Sequence, residues 1–213
     1  MEHQPSPPRS AQEGFAAMYA GNPPWDLGRP QQAFVAAADR IISPVLDAGC
    51  GTGNAAVFFA ARGERVTGID FVDEAIRRAR AKAADRGLEV EFLVKDAMTL
   101  GEWYRRFASV IDSGLFHVYS GDEQRRYVKG LAHVLRPGGR LFLLSFSDQE
   151  PATAWLPPGL SRQELCDAFE DGWEVESIDE VWAEVSAAFM ADHPEAFPKG
   201  GGKMWFAVIR RTE

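Results

Sequence analysis

Asp47, Gly49, Gly51, Gly53 and Asn54 stand together in the run Val45-Leu46-Asp47-Ala48-Gly49-Cys50-Gly51-Thr52-Gly53-Asn54. A short apolar run ending in alternating glycines reads as a buried strand entering a tight turn, and glycine there lets a ligand meet bare backbone with no Cβ in the way. The spacing is G-x-G-x-G, which differs from the G-x-G-x-x-G of dinucleotide folds. Downstream, Asp70, Asp96 and Asp112 each close a run of strand character. Four carboxylates at four strand ends make either a metal site or a polar clamp for a cationic, hydroxyl-rich ligand. The clamp is preferred and no metal is expected: hard metals gather oxygen ligands in compact local geometry, whereas adjacent strands sit roughly 5 Å apart. Asp70 falls about 20 residues past the turn, where a carboxylate accepts both hydroxyls of a ribose. His117 lies five residues past Asp112, and a side chain of near-neutral pKa suits removal of a proton from a phenol or thiol.

The elements that must position these residues alternate. Residues 1–10, with Pro5, Pro7 and Pro8, read as a disordered leader, and 11–213 as a single domain. Within it, 11–42 forms a helical cap: Phe15, Met18 and Tyr19 at helical spacing, a proline-stiffened loop Asn22 to Pro30 carrying Trp25, and a second helix with Phe34, Val35, Ala38, Ile41 and Ile42 inward. After the glycine turn come a helix from Asn54 to Arg62, a strand from Arg65 to Asp70, a helix capped by Asp73, a strand from Val90 to Asp96, and a strand closing at Val110-Ile111-Asp112. The Arg77, Arg78, Arg80 and Lys82 run reads as a solvated helix face. A helix from Glu123 to Leu135 leads into a fifth strand, Arg140 to Phe146, and Ser161 to Glu164 is a capping box. Strands at 173–185 and 204–210 flank a non-helical connection, 186–202, that makes them antiparallel and forms a lid with Phe189, Met190, His193 and Phe197.

Composition narrows the partner. A net charge of -8 over 213 residues argues against nucleic acid, since phosphate-backbone affinity comes from clustered Lys and Arg. Two cysteines, Cys50 and Cys166, fit a reducing, cytoplasmic setting. No run approaches the roughly 20 apolar residues of a membrane span. A small molecule is the expected partner, bound by a monomer or weak dimer.

D-A-G-C-G-T-G, Asp47 to Gly53, with Asp70 at the end of strand two, resembles motif I of class I S-adenosylmethionine (SAM)-dependent methyltransferases. The resemblance implies a Rossmann-like α/β fold with helices on both faces of a mostly parallel seven-stranded sheet, order 3-2-1-4-5-7-6, strand seven antiparallel. It implies SAM as cofactor, S-adenosylhomocysteine as product, and a site at the strand carboxyl ends where the order reverses. Asp96-Ala97-Met98 resembles the adenine-reading segment, with Phe71 on the ring's other face. The P-P-W-D-x-G-x-P-Q run of Pro23 to Gln31 and I-D-S-G-L-F-H ending at His117 resemble the thiopurine methyltransferase-like branch. There Trp25 would fold over the methionyl end, near enough to the sulfonium for cation–π attraction. Ser113 stands where the thiopurine enzymes carry arginine, and the missing guanidinium counts against thiopurine itself. Asn22-Pro23-Pro24-Trp25 looks like the motif of nucleic-acid amino-methyltransferases, but it precedes strand one instead of following strand four.

The expected activity is methyl transfer to an O, N or S atom of a small aromatic or heterocyclic compound. The alternatives are a thiol or halide acceptor, or a SAM-binding protein without turnover. Cofactor contacts are expected from Trp25, Asp47, Gly49, Gly51, Gly53, Asn54, Asp70, Phe71, Asp96, Ala97, Met98 and Asp112, and proton removal from His117.

Overall fold

The computed structural model describes residues 11–151, 158–197 and 199–213; the expected leader lies outside the described residues. In chain order the elements are α1 (Ala11–Tyr19), α2 (Gln32–Ala36), a 3₁₀ turn (Ala38–Arg40), β1 (Val45–Ala48), α3 (Asn54–Ala61), β2 (Val66–Asp70), α4 (Asp73–Ala84) and β3 (Glu91–Val94). A 3₁₀ segment (Ala97–Glu102), β4 (Phe107–Ser113), a 3₁₀ turn (Phe116–Val118), α5 (Asp122–Val134), β5 (Leu135–Phe146), α6 (Arg162–Ala168), β6 (Trp173–Glu184), α7 (Ala187–Asp192) and β7 (Gly201–Arg211) complete them. The seven strands form one sheet in the order β3-β2-β1-β4-β5-β7-β6. β1 pairs in parallel with both β2 and β4, and β7 runs antiparallel to β5 and β6. The order reverses at β1, so the rim beyond β1 and β4 is the crevice where such sheets bind ligands.

Side chains alternate across the sheet with the period of two that a strand dictates. In β7, Met204, Phe206 and Val208 join Phe34, Val57, Phe59 and Ile76 on the face covered by α2, α3 and α4. Trp205, Ala207 and Ile209 join Tyr127, Leu131 and Leu165 on the face covered by α5 and α6. Phe34, Phe59, Tyr127 and Leu131 are fully buried, each aliphatic or aromatic side chain contributing about 1.5–3 kcal/mol relative to exposure.

Four local expectations change. The second helix stops at Ala36 and continues as a 3₁₀ turn. Val72, not Asp73, is the N-cap of α4; Asp73 and Glu74 sit in its first turn, where negative charge meets the helix dipole. Arg136 to Gly139 belong to β5 as an irregular bulge, with Phe107 opposite Leu135 and Ser109 opposite Arg140. The connection between β6 and β7 is partly helical: Ser186 caps α7, its Oγ accepting from the Phe189 amide.

Candidate active site

Three glycines in left-handed conformation shape the turn after β1, with φ of 69° at Gly49, 53° at Gly51 and 76° at Gly53. Gly49 lines a cavity at the rim, and a Cβ there would lie 3.1 Å from the Leu115 side chain. A Cβ at Gly51 would lie 2.7 Å from the Tyr19 hydroxyl, and one at Gly53 would lie 2.9 Å from the Ala79 Cβ and 2.8 Å from the Phe92 ring. Gly51 and Gly53 therefore let the N-terminal segment and α4 close on the turn; they shape the cradle from behind and do not line it.

The four aspartates separate into two pairs. Asp70 lines the cavity while its Oδ2 accepts from the Gly51 amide at 3.0 Å and its Oδ1 from the Val72 amide at 2.9 Å. Burial raises its pKa, opposed by those amide hydrogen bonds. An ionised carboxylate has about four lone-pair positions, so acceptor capacity is left for a ligand. Asp96 is exposed on the rim, and its Oδ1 caps the following 3₁₀ segment by accepting from the Met98 amide at 2.8 Å. Asp47 and Asp112 do not reach the rim. Asp47 accepts from the Ala56 amide at 3.0 Å, and Asp112 accepts from the Leu115 amide at 2.8 Å and the Tyr127 hydroxyl at 2.9 Å. Burial pushes Asp47 up to about 7 and Asp112 up to about 6. The expected convergence of four carboxylates is thus corrected to two, because the inner pair tie strand ends to α3, the 115–116 turn and α5.

The cavity measures about 470 Å³. At one end lie Gly49, Asp70, Phe71, Lys95, Asp96 and Ala97, from the ends of β1, β2 and β3. The other end is walled by Leu144, Phe146, Ala183, Val185, Phe197 and Met204, from β5, β6, β7 and the connection. Of the expected cofactor residues, Trp25, Gly49, Asp70, Phe71, Asp96 and Ala97 line it, as does His117. Asp47, Gly51, Gly53, Asn54, Met98 and Asp112 are not among the lining residues.

The N-terminal segment roofs both ends. Phe15, Tyr19, Trp25 and Phe71 form an aromatic cluster with ring centroids 5.7–5.9 Å apart, and Trp25 Nε1 donates to the Tyr19 hydroxyl at 3.1 Å. Asp26 fastens the loop to the glycine turn. Its Oδ1 accepts from Thr52 Oγ1 and Asn54 Nδ2, each at 2.8 Å, and its Oδ2 from Arg78 at 2.9 Å. Burial raises the Asp26 pKa, but hydrogen bonds from Asn54 and Thr52, with the charges of Lys82 and Arg78, outweigh it and hold the carboxyl below its ordinary value. Lys82 in turn donates to Thr52 Oγ1 and Asn54 Oδ1. Arg78 and Lys82 therefore do not belong to a solvated face, and Asn54 is spent on this tether. At the far end, Gln31 bonds both backbone groups of Glu184, accepting at 2.9 Å and donating at 2.8 Å. The tethering roles of Asp26 and Gln31 carry no local signature, because their partners lie 26 to 153 residues away.

His117 stacks on Phe146, with centroids 4.0 Å apart and planes 23° from parallel, and its Nδ1 accepts from the Phe146 amide at 3.3 Å. Burial lowers its pKa to about 4. The ring is neutral at physiological pH and a weak base, unlike the near-neutral histidine expected.

Residues 45–139 match the family model described as a methyltransferase domain. A 2-heptyl-1-hydroxyquinolin-4(1H)-one methyltransferase of Mycobacteroides abscessus is 31% identical over 195 residues, covering 90% of this chain and 82% of that protein. A solved structure titled for conversion of a disulfide bond into a thioacetal group during echinomycin biosynthesis is 38% identical, with a TM-score of 0.80 and coverage of 94% and 93%. The N-methyltransferase NodS of Bradyrhizobium japonicum, in complex with S-adenosylhomocysteine, shares the fold at 17% identity, TM-score 0.62, covering 85% of each chain. With the sheet order, the glycine turn and relatives of this coverage in agreement, the chain belongs to the class I SAM-dependent methyltransferases, and S-adenosylmethionine is its cofactor.

Proposed function

We propose that this enzyme methylates an O, N or S atom of a small aromatic or heterocyclic compound, with a heterocycle or phenol as the leading acceptor. One observation carries the reading: the cavity presents the Asp70 and Asp96 carboxylates at the β1–β3 end and mainly apolar side chains at the β5–β7 end, where Glu184 and Lys203 are paired to Arg29 and Glu180, so a nucleoside and a flat apolar acceptor each have a matching wall. The hydroxyquinolone relative supports a heterocyclic acceptor; the thioacetal-forming relative keeps sulfur open. The Pro23 to Gln31 run and the segment ending at His117 support a place in the thiopurine methyltransferase-like branch. A halide or a small thiolate would leave the apolar end unfilled. The two free cysteines suit the cytoplasm, and no described helix is long and apolar enough to cross a membrane.

The residues present fit the cofactor. Gly49 leaves backbone open at the floor, Asp70 keeps acceptor capacity for ribose hydroxyls, and Asp96 has an exposed carboxylate for the adenine amine beside Ala97. Phe71 would cover the ring, and the Trp25 face would meet the sulfonium at about 0.5–2 kcal/mol of cation–π attraction. When bound, SAM supplies a methyl carbon made electrophilic by its sulfonium. The chain aligns the acceptor in line with that carbon and keeps water out, with the 11–42 cap and the 186–202 lid as cover, and alignment can supply most of the acceleration. The test is turnover: S-adenosylhomocysteine should form with 1-hydroxyquinolin-4(1H)-ones or phenols in preference to iodide or small alkyl thiols. Binding of SAM without product from any of these acceptors would favour the non-catalytic reading instead.

A further inference from the structure

We infer that His117 holds the acceptor as a hydrogen-bond donor through Nε2–H, so that this enzyme selects acceptors that arrive as anions, such as a phenolate, an N-hydroxy anion or an aryl thiolate. This rests on the proposed acceptor end. The Phe146 amide donates to Nδ1 at 3.3 Å, so Nδ1 presents its lone pair and a neutral ring carries its proton on Nε2. The ring is held there by its stack on Phe146 and by Gly114, φ 90°, where a Cβ would lie 3.3 Å from His117 Cε1. A general base at Nε2 would need the other tautomer, which sets an Nδ1–H against the Phe146 N–H. That arrangement leaves two donors facing each other without an acceptor, a costly state in a buried position.

Nε2 has no partner among the described residues, and His117 lines the cavity. Three polar neighbours on the acceptor wall are committed elsewhere: Gln31 to the Glu184 backbone, the Glu184 carboxylate to Arg29 at 2.8 Å, and the Lys203 ammonium to Glu180 at 3.0 Å. Tyr19 and Tyr119 share the cavity, and burial raises both phenols out of the physiological range, so they too remain protonated. Burial lowers His117 itself to about 4, which keeps the ring neutral and Nε2–H a donor throughout the working pH range. An N–H aimed at an anion makes a charge-assisted hydrogen bond, about twice as strong as a neutral one. In the transfer, an acceptor lone pair forms the new bond to the methyl carbon while the C–S pair returns to sulfur. One anion and one sulfonium charge disappear together, and no proton remains to be removed.

The test is the pH dependence of kcat/KM for wild type, His117→Phe and His117→Gln with ring-substituted 1-hydroxyquinolin-4(1H)-ones and phenols of graded acidity. S-adenosylhomocysteine calorimetry on each variant serves as the control for folding. The wild-type rate should rise with pH through a midpoint that moves with the acidity of each acceptor. His117→Phe should lose on the order of 10- to 100-fold at every pH with that midpoint unchanged. His117→Gln, a donor that cannot take a proton, should recover at least a tenth of the wild-type rate. A midpoint that stays fixed across acceptors and vanishes in His117→Phe, with His117→Gln no better, would overturn the inference and leave the acceptor reading standing. Wild type that binds S-adenosylhomocysteine yet methylates none of the panel would overturn both.

Discussion

The two ends of the cavity are built by opposite means. The β1–β3 end comes from contiguous chain: a strand, a turn and a second strand whose last carboxylate accepts the Gly51 amide. The β5–β7 end is assembled across the whole sequence: Pro24 accepts from the Ser186 amide at 2.8 Å, and Gln31 bonds Glu184. The first end is largely backbone and carboxylates, the second largely apolar side chains around one histidine, with Glu184 and Lys203 paired off to Arg29 and Glu180. A site that must bind one invariant molecule and one variable molecule can thus keep the first rigid and alter the second through side chains alone.

The rigidity of the first end is open to attack at Gly53. Gly53→Val demands a left-handed valine against Ala79 and Phe92 and should cost about 2–6 kcal/mol from backbone strain and overpacking, read by chemical denaturation. A loss below 1 kcal/mol would show that the turn yields, and the contrast between the ends would weaken.

The N-terminal segment joins the two ends, and Asp26 is its fastening. Asp26→Ala removes the ion pairs with Arg78 and Lys82 and the acceptor for Thr52 and Asn54. It should loosen the 11–30 segment by about 2 kcal/mol, seen as faster proteolytic cleavage there while the sheet core keeps its hydrogen-exchange protection. Unchanged cleavage would mean that the remaining contacts, among them Gln31 with Glu184, Pro24 with Ser186 and Arg78 with the Tyr19 carbonyl, hold the roof without Asp26.

A smaller effect tests the buried aspartates beneath the rim. Asp47 and Asp112, raised to about 7 and about 6, bind protons in the folded state that the unfolded chain has released. Their contribution is present at low pH and is lost as pH rises from the ordinary carboxylate value through the folded one. His117, lowered to about 4, acts oppositely, and its contribution is lost as pH falls from about 6.5. Subtracting the Asp47→Asn stability profile from that of wild type cancels His117. The difference should fall between pH 4 and 7 by at most about 1.4 kcal/mol per pH unit; a flat difference would show that Asp47 does not titrate there.

The same contrast explains what the sequence disclosed. The strands, the glycine turn and Asp70 were readable because each is local: short apolar runs, alternating glycines and a carboxylate one strand further on; the order of the strands in the sheet came only with the resemblance to class I methyltransferases, because pairing such as β1 with β4 joins distant segments. Asp47 and Asp112 were readable as strand-end acids but not as buried ones, since the amides of Ala56 and Leu115 and the Tyr127 hydroxyl that occupy them come from tertiary packing. Arg78 and Lys82 showed only helical spacing and charge; their partner Asp26 lies 52 and 56 residues earlier. His117 was visible as a histidine, but its tautomer depends on the Phe146 amide, 29 residues away.

The assignment of the two ends is tested most directly by calorimetric titration of S-adenosylhomocysteine into wild type, Asp70→Ala and Val185→Ala. Asp70→Ala should weaken binding on the order of 10- to 100-fold through lost charge-assisted hydrogen bonds, and Val185→Ala, at the other end, should leave it within about twofold. Equal affinity of Asp70→Ala and wild type, or a loss in Val185→Ala as large as that in Asp70→Ala, would contradict the division of the cavity.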